Sequence, residues 1–346
     1  MRKCLIYGAG RTGKKVLQVL QSAGATVLGF IDEYSAQTLV NGTPVLRLSV
    51  AAGNNEYLGY PVIISVFNPN VDMRIIVENL SECGFKRIID FYTFYREHGE
   101  DIGELYWLDT LEKMTNLDAT TSVGNLLADQ KSIDLLDSII KVRTTYAFDS
   151  IPLPDDHLQY CPRDIVFPDH VNLFADCGAF TGDSIASVVS TYGVDEYYCF
   201  EPDQKNFEIL RNEAAKVALN QDVNFTLLPC GVWEKNEILK FRSDSAGGAI
   251  TSEGGIAVQG VALDSMFAGR KKPNYIKMDV EGAELSALRG AQNIISNTKP
   301  TLAICVYHKP EDLWEIPLFI HSLNPEYQFY LRQYEYNLFD TVLYAV

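Results

Sequence analysis

Two carboxylates and one imidazole stand at the ends of two apolar runs near the C-terminus. Asp279 and Glu281 follow the run that begins at Tyr275, and His308 follows the run that begins at Thr301. Both runs are predicted strands, and open α/β sheets bind ligands at the carboxyl ends of their strands. A histidine placed there can remove a proton from an alcohol. We therefore take His308 as the candidate general base, with Asp279 and Glu281 as its catalytic partners.

Other roles stay open for these residues. His308 precedes a Lys-Pro pair and could be an ordinary loop residue. Glu281, and still more Glu284, could stabilise the first turn of a helix. Asp279, Glu281 and His308 could also hold a divalent metal, although magnesium and manganese prefer oxygen ligands. The prediction is that no metal is bound.

A glycine-rich turn forms a second chemical feature. The residues from Asp176 to Asp183 follow the predicted strand Leu173–Cys177 and open a helix. The glycines allow a ligand to approach the backbone, and the helix N-terminus offers unpaired N–H groups to an anion. Glu201, at the end of the next predicted strand, can accept hydrogen bonds from both ribose hydroxyls. The pattern predicts a nucleoside site.

Four blocks of the sequence carry a family resemblance. They are Phe174–Asp183, Phe200–Phe207, Ile276–Gly290 and Ile304–Trp314. In this order they resemble the motifs of S-adenosylmethionine-dependent methyltransferases of the FkbM family, over about residue 158 to the C-terminus. The resemblance implies the class I methyltransferase fold, S-adenosyl-L-methionine as the cofactor and methyl transfer as the reaction.

The resemblance also implies a set of cofactor-binding residues. The methionine carboxylate would lie at the helix start, and Gly231 and Val232 would lie against the adenine. Asp279 would lie near the sulfonium or orient the acceptor. The complete set of candidate cofactor residues is Asp176, Gly178, Ala179, Phe180, Thr181, Gly182, Asp183, Glu201, Pro202, Gly231 and Val232.

Two further segments have local predictions. Asp264 is interpreted as the N-cap of a short helix at 265–267. Small residues at Ser245–Gly248 and at Gly254-Gly255 could form a lid over the acceptor or a plain hairpin loop.

The N-terminal segment carries a glycine motif of its own. Gly8, Gly10 and Gly13 lie between a predicted strand and a predicted helix, and Asp32 follows the next strand. This is the dinucleotide-binding fingerprint in its required context. However, about 95 residues provide only one nucleotide-binding half, whereas a complete dinucleotide fold uses two.

A second resemblance concerns the same segment. Gly29–Glu33 and Val40–Leu46 resemble the N-terminal domain of bacterial sugar acyltransferases and related surface-polysaccharide enzymes. That resemblance implies a sugar-nucleotide site or its relic. Three roles stay open for the segment: binding a sugar nucleotide, a purely structural or vestigial role, and binding NAD.

The predicted architecture is α/β throughout. Residues 1–95 alternate strands and helices as a Rossmann-like domain, residues 96–170 form an acidic helical connector, and residues 171–346 form the methyltransferase domain. The last domain should contain a mostly parallel seven-stranded sheet, because strand and helix signals alternate. Two aromatic-rich runs, Tyr327–Tyr334 and Thr341–Val346, are joined by too short a turn for a crossover and should form an antiparallel hairpin.

Composition excludes several classes of protein. The chain has 29 basic and 45 acidic residues, and its net charge of −16 disfavours nucleic acid and anionic lipid as partners. No apolar stretch is long enough to span a membrane or to serve as a signal-peptide core. The 7 cysteines show no metal-binding spacing, which favours reduced thiols and no zinc. We expect a cytoplasmic protein with a small-molecule or glycan acceptor, and self-association is allowed.

The leading hypothesis is an O-methyltransferase that acts on a sugar or a surface-polysaccharide precursor. The sugar is favoured because an apparent sugar-nucleotide module shares the chain. One alternative is an NAD-dependent oxidoreductase that uses the N-terminal glycine motif. Another is a non-catalytic nucleotide-binding protein with degenerate sites.

Overall fold

The computed structural model describes residues 3–242, 248–250 and 255–346. The chain groups into two compact units. The first comprises Met1–Thr115, Asp137–Leu153 and Glu335–Phe339, and the second comprises Asn116–Leu136, Pro154–Tyr334 and Asp340–Val346. The predicted connector, 96–170, is therefore divided between the two units, and the three predicted segments stay a prediction about domains.

Six strands form one sheet in the described part of the first unit. They are β1 (Lys3–Tyr7), β2 (Thr26–Ile31), β3 (Leu39–Val40), β4 (Thr43–Leu46), β5 (Val62–Ile64) and β6 (Ile88–Ile89). Their order is β3-β4-β2-β1-β5-β6, and every neighbouring pair is parallel except the β3–β4 hairpin. Sequence analysis did not predict that hairpin.

Five α-helices lie between or after these strands and wholly within the described part of the first unit. They are α1 (Arg11–Ser22), α2 (Leu48–Ala52), α3 (Met73–Glu82), α4 (Phe91–Ile102) and α5 (Leu111–Met114). Helix α1 buries Val16, Leu17 and Leu20, which recur at helical spacing and form its apolar face. Carboxylates cap two helix starts: Asp72 accepts from the backbone of α3, and Asp90 accepts from that of α4.

The N-terminal glycine turn is held by close backbone packing and by the side chain of Asp32. Gly8 has φ +98°, which favours glycine. A Cβ on Gly13 would lie 2.0 Å from the carbonyl oxygen of Gly8, so Gly13 permits close packing of helix on strand. The Asp32 carboxylate accepts a 2.8 Å hydrogen bond from the Ala9 N–H with one oxygen and bonds from the turn after β2 with the other. Asp32 therefore fixes the turn, and its predicted contact with a ligand stays a prediction.

Strands and helices alternate along much of the second unit. Its strands are β7 (Val171–Cys177), β8 (Val194–Phe200), β9 (Asn224–Leu228), β10 (Gly231–Val232), β11 (Glu237–Arg242), β12 (Ala249–Ile250), β13 (Ile256–Val261), β14 (Tyr275–Met278), β15 (Thr301–Cys305), β16 (Phe329–Gln333) and β17 (Thr341–Ala345). Its helices are α6 (Leu117–Gly124), α7 (Gln130–Thr145, shared with the first unit), α8 (Ile185–Tyr192), α9 (Gln204–Ala218), α10 (Leu263–Met266), α11 (Glu284–Arg289), α12 (Gln292–Thr298) and α13 (Asp312–Leu323).

The described strands of this unit form the predicted seven-stranded sheet. Its order is β16-β17-β15-β14-β7-β8-β9. Strands β15, β14, β7, β8 and β9 are parallel, whereas β17 is antiparallel to both β15 and β16. The mostly parallel sheet with an antiparallel terminal hairpin is confirmed. Strands β7 and β14 lie at its centre, so the residues that follow them meet at one edge.

A second, smaller sheet was not predicted. Within the described ranges it has the order β10-β13-β11-β12, and β11 pairs antiparallel with both of its neighbours. The predicted lid or hairpin loop falls on this sheet, but its residues 245–247 and 254 lie outside the described residues. None of the helices in the described ranges combines the length and apolar character needed to cross a membrane.

The first glycine turn generates a stability prediction. We expect Gly13→Ala to lower the free energy of unfolding of the first unit by about 1–3 kcal/mol, because the new methyl group collides with backbone that cannot move freely. Gly10→Ala is the matched control, since a Cβ there meets no atom within 4 Å, and it should cost less than about 1 kcal/mol. Urea unfolding of the two variants measures the difference. Equal midpoints would show that the turn tolerates a side chain at either glycine.

Candidate functional site

A cavity of about 320 Å³ opens at the carboxyl edge of the large sheet in the second unit. Residues that follow β7, β8 and β14 form its centre, as the topology requires of neighbouring parallel strands. The lining residues include Leu158, Gln159, Tyr160, Gly178, Phe180, Asp183, Phe200, Glu201, Pro202, Asn206, Gly231, Val232, Lys277, Asp279, Glu281 and Asp340.

Most predicted cofactor residues lie on this cavity. Gly178, Phe180, Asp183, Glu201, Pro202, Gly231 and Val232 line it. The other four, Asp176, Ala179, Thr181 and Gly182, are absent from its lining among the described residues. Sequence position therefore located the turn, but it did not separate residues that face the cavity from those that support the turn.

Asp176 belongs to the supporting residues. It is fully buried, and its carboxylate lies 3.0 Å from Lys277 Nζ and accepts a 2.9 Å hydrogen bond from the Tyr197 hydroxyl. Burial alone lowers the pKa of Lys277, but the charges of Asp176 and Asp279 outweigh it and hold that pKa above its ordinary value. Lys277 also donates to the Gly178 carbonyl. The Asp176–Lys277 ion pair therefore fixes the glycine turn through the hydrogen bond from Lys277 to the Gly178 carbonyl.

Gly178 has a steric role that was not predicted. Its φ is +81°, and a Cβ would lie 1.8 Å from the carbonyl oxygen of Asp279. A side chain there would strike the neighbouring strand end before it reached any ligand. Gly178 therefore permits the ends of β7 and β14 to lie in contact. Gly178 also lines the cavity, and the expectation that it admits a ligand stays a prediction.

Glu201 is a buried carboxylate at the end of β8. Its two oxygens accept hydrogen bonds from the backbone N–H groups of Phe180 (2.9 Å) and Asp203 (2.8 Å). Burial raises the pKa of Glu201 to about 7, against the lowering effect of these bonds. A carboxylate oxygen can accept a second hydrogen bond. Glu201 therefore ties the glycine turn to β8 and still presents acceptors to the cavity.

His308 lies behind the cavity wall, surrounded by carboxylates. It is buried, with its Nδ1 2.9 Å from Glu284 Oε1 and its Nε2 3.5 Å from both Asp279 Oδ1 and Glu281 Oε2. Burial alone lowers the pKa of His308, but the three carboxylates, Glu284 foremost, raise it to about 10. His308 is therefore an imidazolium at neutral pH.

This geometry disfavours His308 as the general base. An imidazolium already carries the proton that a base would have to accept, and His308 is not among the described residues that line the cavity. Asp279 and Glu281, by contrast, both line it. The structure thus brings the three predicted catalytic residues together but gives the histidine the place of a counter-ion.

The turn after β14 holds Glu281 in a strained backbone conformation. Glu281 has φ +54° and Gly282 has φ +88°. Left-handed backbone at a non-glycine residue persists only where its surroundings enforce it. Here Glu284 Oε1 accepts a 2.8 Å hydrogen bond from the Val280 N–H. Glu284 is the first residue of α11, and the alternative prediction that it stabilises a helix start stays a prediction.

Burial also changes the acid strength of two further groups. Burial raises the pKa of Glu281 to about 7; the charge of His308 opposes the shift and that of Asp279 adds to it. Burial and the charge of Glu284 raise the pKa of Asp312 to about 8. The N-terminus of α13 therefore places a mostly protonated carboxyl beside the Glu284–His308 pair.

One cluster has the composition of a metal site. Oxygen and nitrogen atoms of Asp279, Glu284 and His308 lie within 4.8 Å of one another. A metal ion would have to displace the proton that His308 holds with a pKa of about 10. The absence of a metal stays a prediction.

Three residues of the site were not predicted from the sequence: Lys277, Tyr160 and Asp340. Lys277 could have been noticed as a single charge within a strand that is otherwise apolar. Tyr160 and Asp340 lie outside the predicted strands, so no periodic signal marks them.

Asp264 was assigned to the wrong helix: its carboxylate accepts 2.9 Å hydrogen bonds from the N–H groups of Asn293 and Ile294, at the start of α12.

The C-terminal sequence decides the family. Residues 176–338 match the family model described as the methyltransferase FkbM domain. These residues are a methyltransferase FkbM domain. The cavity and the strained turn after β14 both lie at the strand ends of this domain. The family model begins at Asp176, so the resemblance of the N-terminal segment to sugar acyltransferases stays a prediction.

Solved structures agree with the fold. One similar structure is the crystal structure of methyltransferase FkbM from Methylobacillus flagellatus KT, which has a TM-score of 0.78 and 24% sequence identity to this chain. The match covers 99% of this chain and 90% of the Methylobacillus flagellatus chain. A putative rRNA-methylase from Clostridium thermocellum is 10% identical, covers 52% of this chain and 87% of that chain, and has a TM-score of 0.34, too low to support an inference. A search of curated proteins finds no match.

Proposed function

We propose that this methyltransferase uses S-adenosyl-L-methionine to methylate a hydroxyl group of a sugar or surface-polysaccharide precursor. The observation that carries the proposal is the cavity itself. It combines a ribose-type carboxylate at Glu201 with two further carboxylates, Asp279 and Glu281, at the neighbouring strand end.

The cavity supports the cofactor from one end to the other. Glu201 can accept hydrogen bonds from the two ribose hydroxyls, as acidic residues do at this strand end in nucleotide-binding folds. Gly231 and Val232, which line the cavity, would contact the adenine. Lys277, a buried cation on the cavity wall, favours the methionine carboxylate. Asp279, whose backbone abuts the glycine turn, then faces the sulfonium.

Glu281 is the general base in this proposal. Methyl transfer to an alcohol requires loss of the hydroxyl proton during an in-line displacement at the methyl carbon. A carboxylate whose pKa is about 7 takes that proton more readily than an ordinary carboxylate does. The left-handed backbone of Glu281 directs it to the cavity, and His308 behind it limits its movement. Alignment of acceptor, methyl group and sulfur supplies the remaining barrier reduction.

The charge of the cavity favours a neutral, hydroxyl-rich acceptor. Asp183, Asp279, Glu281 and Asp340 all line it, against the single cation Lys277 among the described lining residues. An anionic acceptor would be repelled by this wall. A sugar hydroxyl is neutral and presents donors to the carboxylates. The resemblance of the first segment to sugar acyltransferases supports the same class of acceptor.

The cofactor part is tested by Glu201→Ala. We expect the affinity for S-adenosyl-L-methionine to fall by about 1–3 kcal/mol, because two hydrogen bonds to a charged acceptor are lost. Isothermal titration calorimetry measures it, with Glu208→Ala on the exposed face of α9 as the control. NAD is titrated in parallel. Unchanged affinity in folded Glu201→Ala would remove Glu201 from the site, and binding of NAD alone would favour an oxidoreductase.

The chemical part is tested by Glu281→Gln. The acceptor is a surface-polysaccharide fraction from cells that lack the protein, and mass spectrometry reports methylation. Wild-type turnover should rise with pH through about 7, as Glu281 loses its proton. The variant should lose about 10²–10⁴-fold in turnover and show no such rise. Its cofactor affinity should stay close to that of the wild type. A variant that keeps wild-type turnover would assign the base elsewhere.

A further inference from the structure

Tyr160 lies on the cavity wall, before the part of the chain that matches the family. It is the third residue of a tight turn in which the Cys161 N–H donates to the Leu158 carbonyl (3.0 Å). Its φ of +65° is left-handed, a conformation that a bulky residue adopts only under constraint. This constraint calls for an explanation in terms of what Tyr160 contacts.

Three buried tyrosines hold the backbone of Tyr160. Its N–H donates to the Tyr344 hydroxyl (3.0 Å), and its carbonyl accepts from the hydroxyls of Tyr275 (2.7 Å) and Tyr192 (3.2 Å). These residues belong to three different elements, β17, β14 and α8. The strained conformation is thus enforced from several sides, as is typical of backbone strain that serves a site.

This constraint fixes the direction in which the Tyr160 phenol points. The Tyr160 hydroxyl donates to Asp279 Oδ2 (3.1 Å) and accepts from Gln159 Nε2 (3.0 Å). Asp279 Oδ1 faces His308 Nε2 at 3.5 Å on its other side. The Asp279 carboxylate is therefore held between a phenol and an imidazolium, and it cannot turn away from the cavity.

We propose that Tyr160 is a positioning residue that fixes the Asp279 carboxylate toward the sulfonium of the bound cofactor. This inference rests on the proposed function. A fixed carboxylate attracts the positively charged sulfonium of S-adenosylmethionine but gains nothing from the neutral thioether of S-adenosylhomocysteine. Tyr160 would thereby help the enzyme to prefer its cofactor over its product, which carries the same ribose and adenine.

The test uses these two compounds and needs no acceptor. Calorimetry gives the ratio of the dissociation constant of S-adenosylhomocysteine to that of S-adenosylmethionine. We expect Tyr160→Phe, which keeps the ring and the backbone hydrogen bonds, to lower this ratio about threefold to tenfold. Asp279→Asn should lower it at least as much. In the Asp279→Asn background, Tyr160→Phe should cause no further change, because there is no charge left to position.

Tyr327→Phe is the matched control. Its hydroxyl donates to the Pro300 carbonyl (2.7 Å), and Tyr327 is not among the described residues that line the cavity. Tyr327→Phe removes a buried tyrosine-to-backbone hydrogen bond away from Tyr160, so it should lower the melting temperature and leave the ratio within about twofold of the wild type. An unchanged ratio in folded Tyr160→Phe would overturn the inference. So would an equal effect in the Asp279→Asn background, or an equal effect of Tyr327→Phe. A wild-type protein that binds neither compound would overturn the proposed function itself.

Discussion

The site depends on one buried interaction, the imidazolium of His308 among the carboxylates of Asp279, Glu281 and Glu284. Without that positive charge, three carboxyl groups within a few ångströms would have no cation between them to offset their mutual repulsion. The folded-state pKa of His308, about 10, lies above its ordinary value of 6.5. The stabilisation is therefore complete below about pH 6.5 and is lost as the pH rises through about 10.

This ion cluster explains the geometry of the cavity wall that Asp279 and Glu281 form. Glu284 binds the turn backbone and His308 through the same oxygen, so the turn after β14 and the end of β15 are fixed together. That turn holds Glu281 in left-handed backbone, and its neighbour Asp279 contacts the glycine turn after β7. The glycine turn after β7 and the turn after β14 are thus parts of one connected polar network.

The sequence was sufficient to predict the strand ends and the residues that stand there. Alternating strand and helix signals predicted the large sheet, and short turns predicted the terminal hairpin. It was not sufficient to predict the protonation of His308, because that depends on the number of carboxylates within reach, and Glu284 approaches from a different element. Tyr160 and Lys277 were missed for a similar reason. The place of Tyr160 at the site depends on how its turn packs, and that of Lys277 depends on its ion pair with Asp176 on a neighbouring strand. The steric need for glycine at position 178 could not be predicted either, because it depends on the position of the Asp279 backbone.

The most direct measurement is the protonation state of His308 itself. Nitrogen NMR of protein labelled with ¹⁵N-histidine distinguishes imidazolium from neutral imidazole, and the His308→Gln variant assigns one signal among the 5 histidines. The account predicts that both nitrogens of His308 still carry protons at pH 8, because its pKa is about 10. A His308 signal that titrates near 6.5, or that reports a neutral ring at pH 8, would contradict it and would restore His308 as a candidate base.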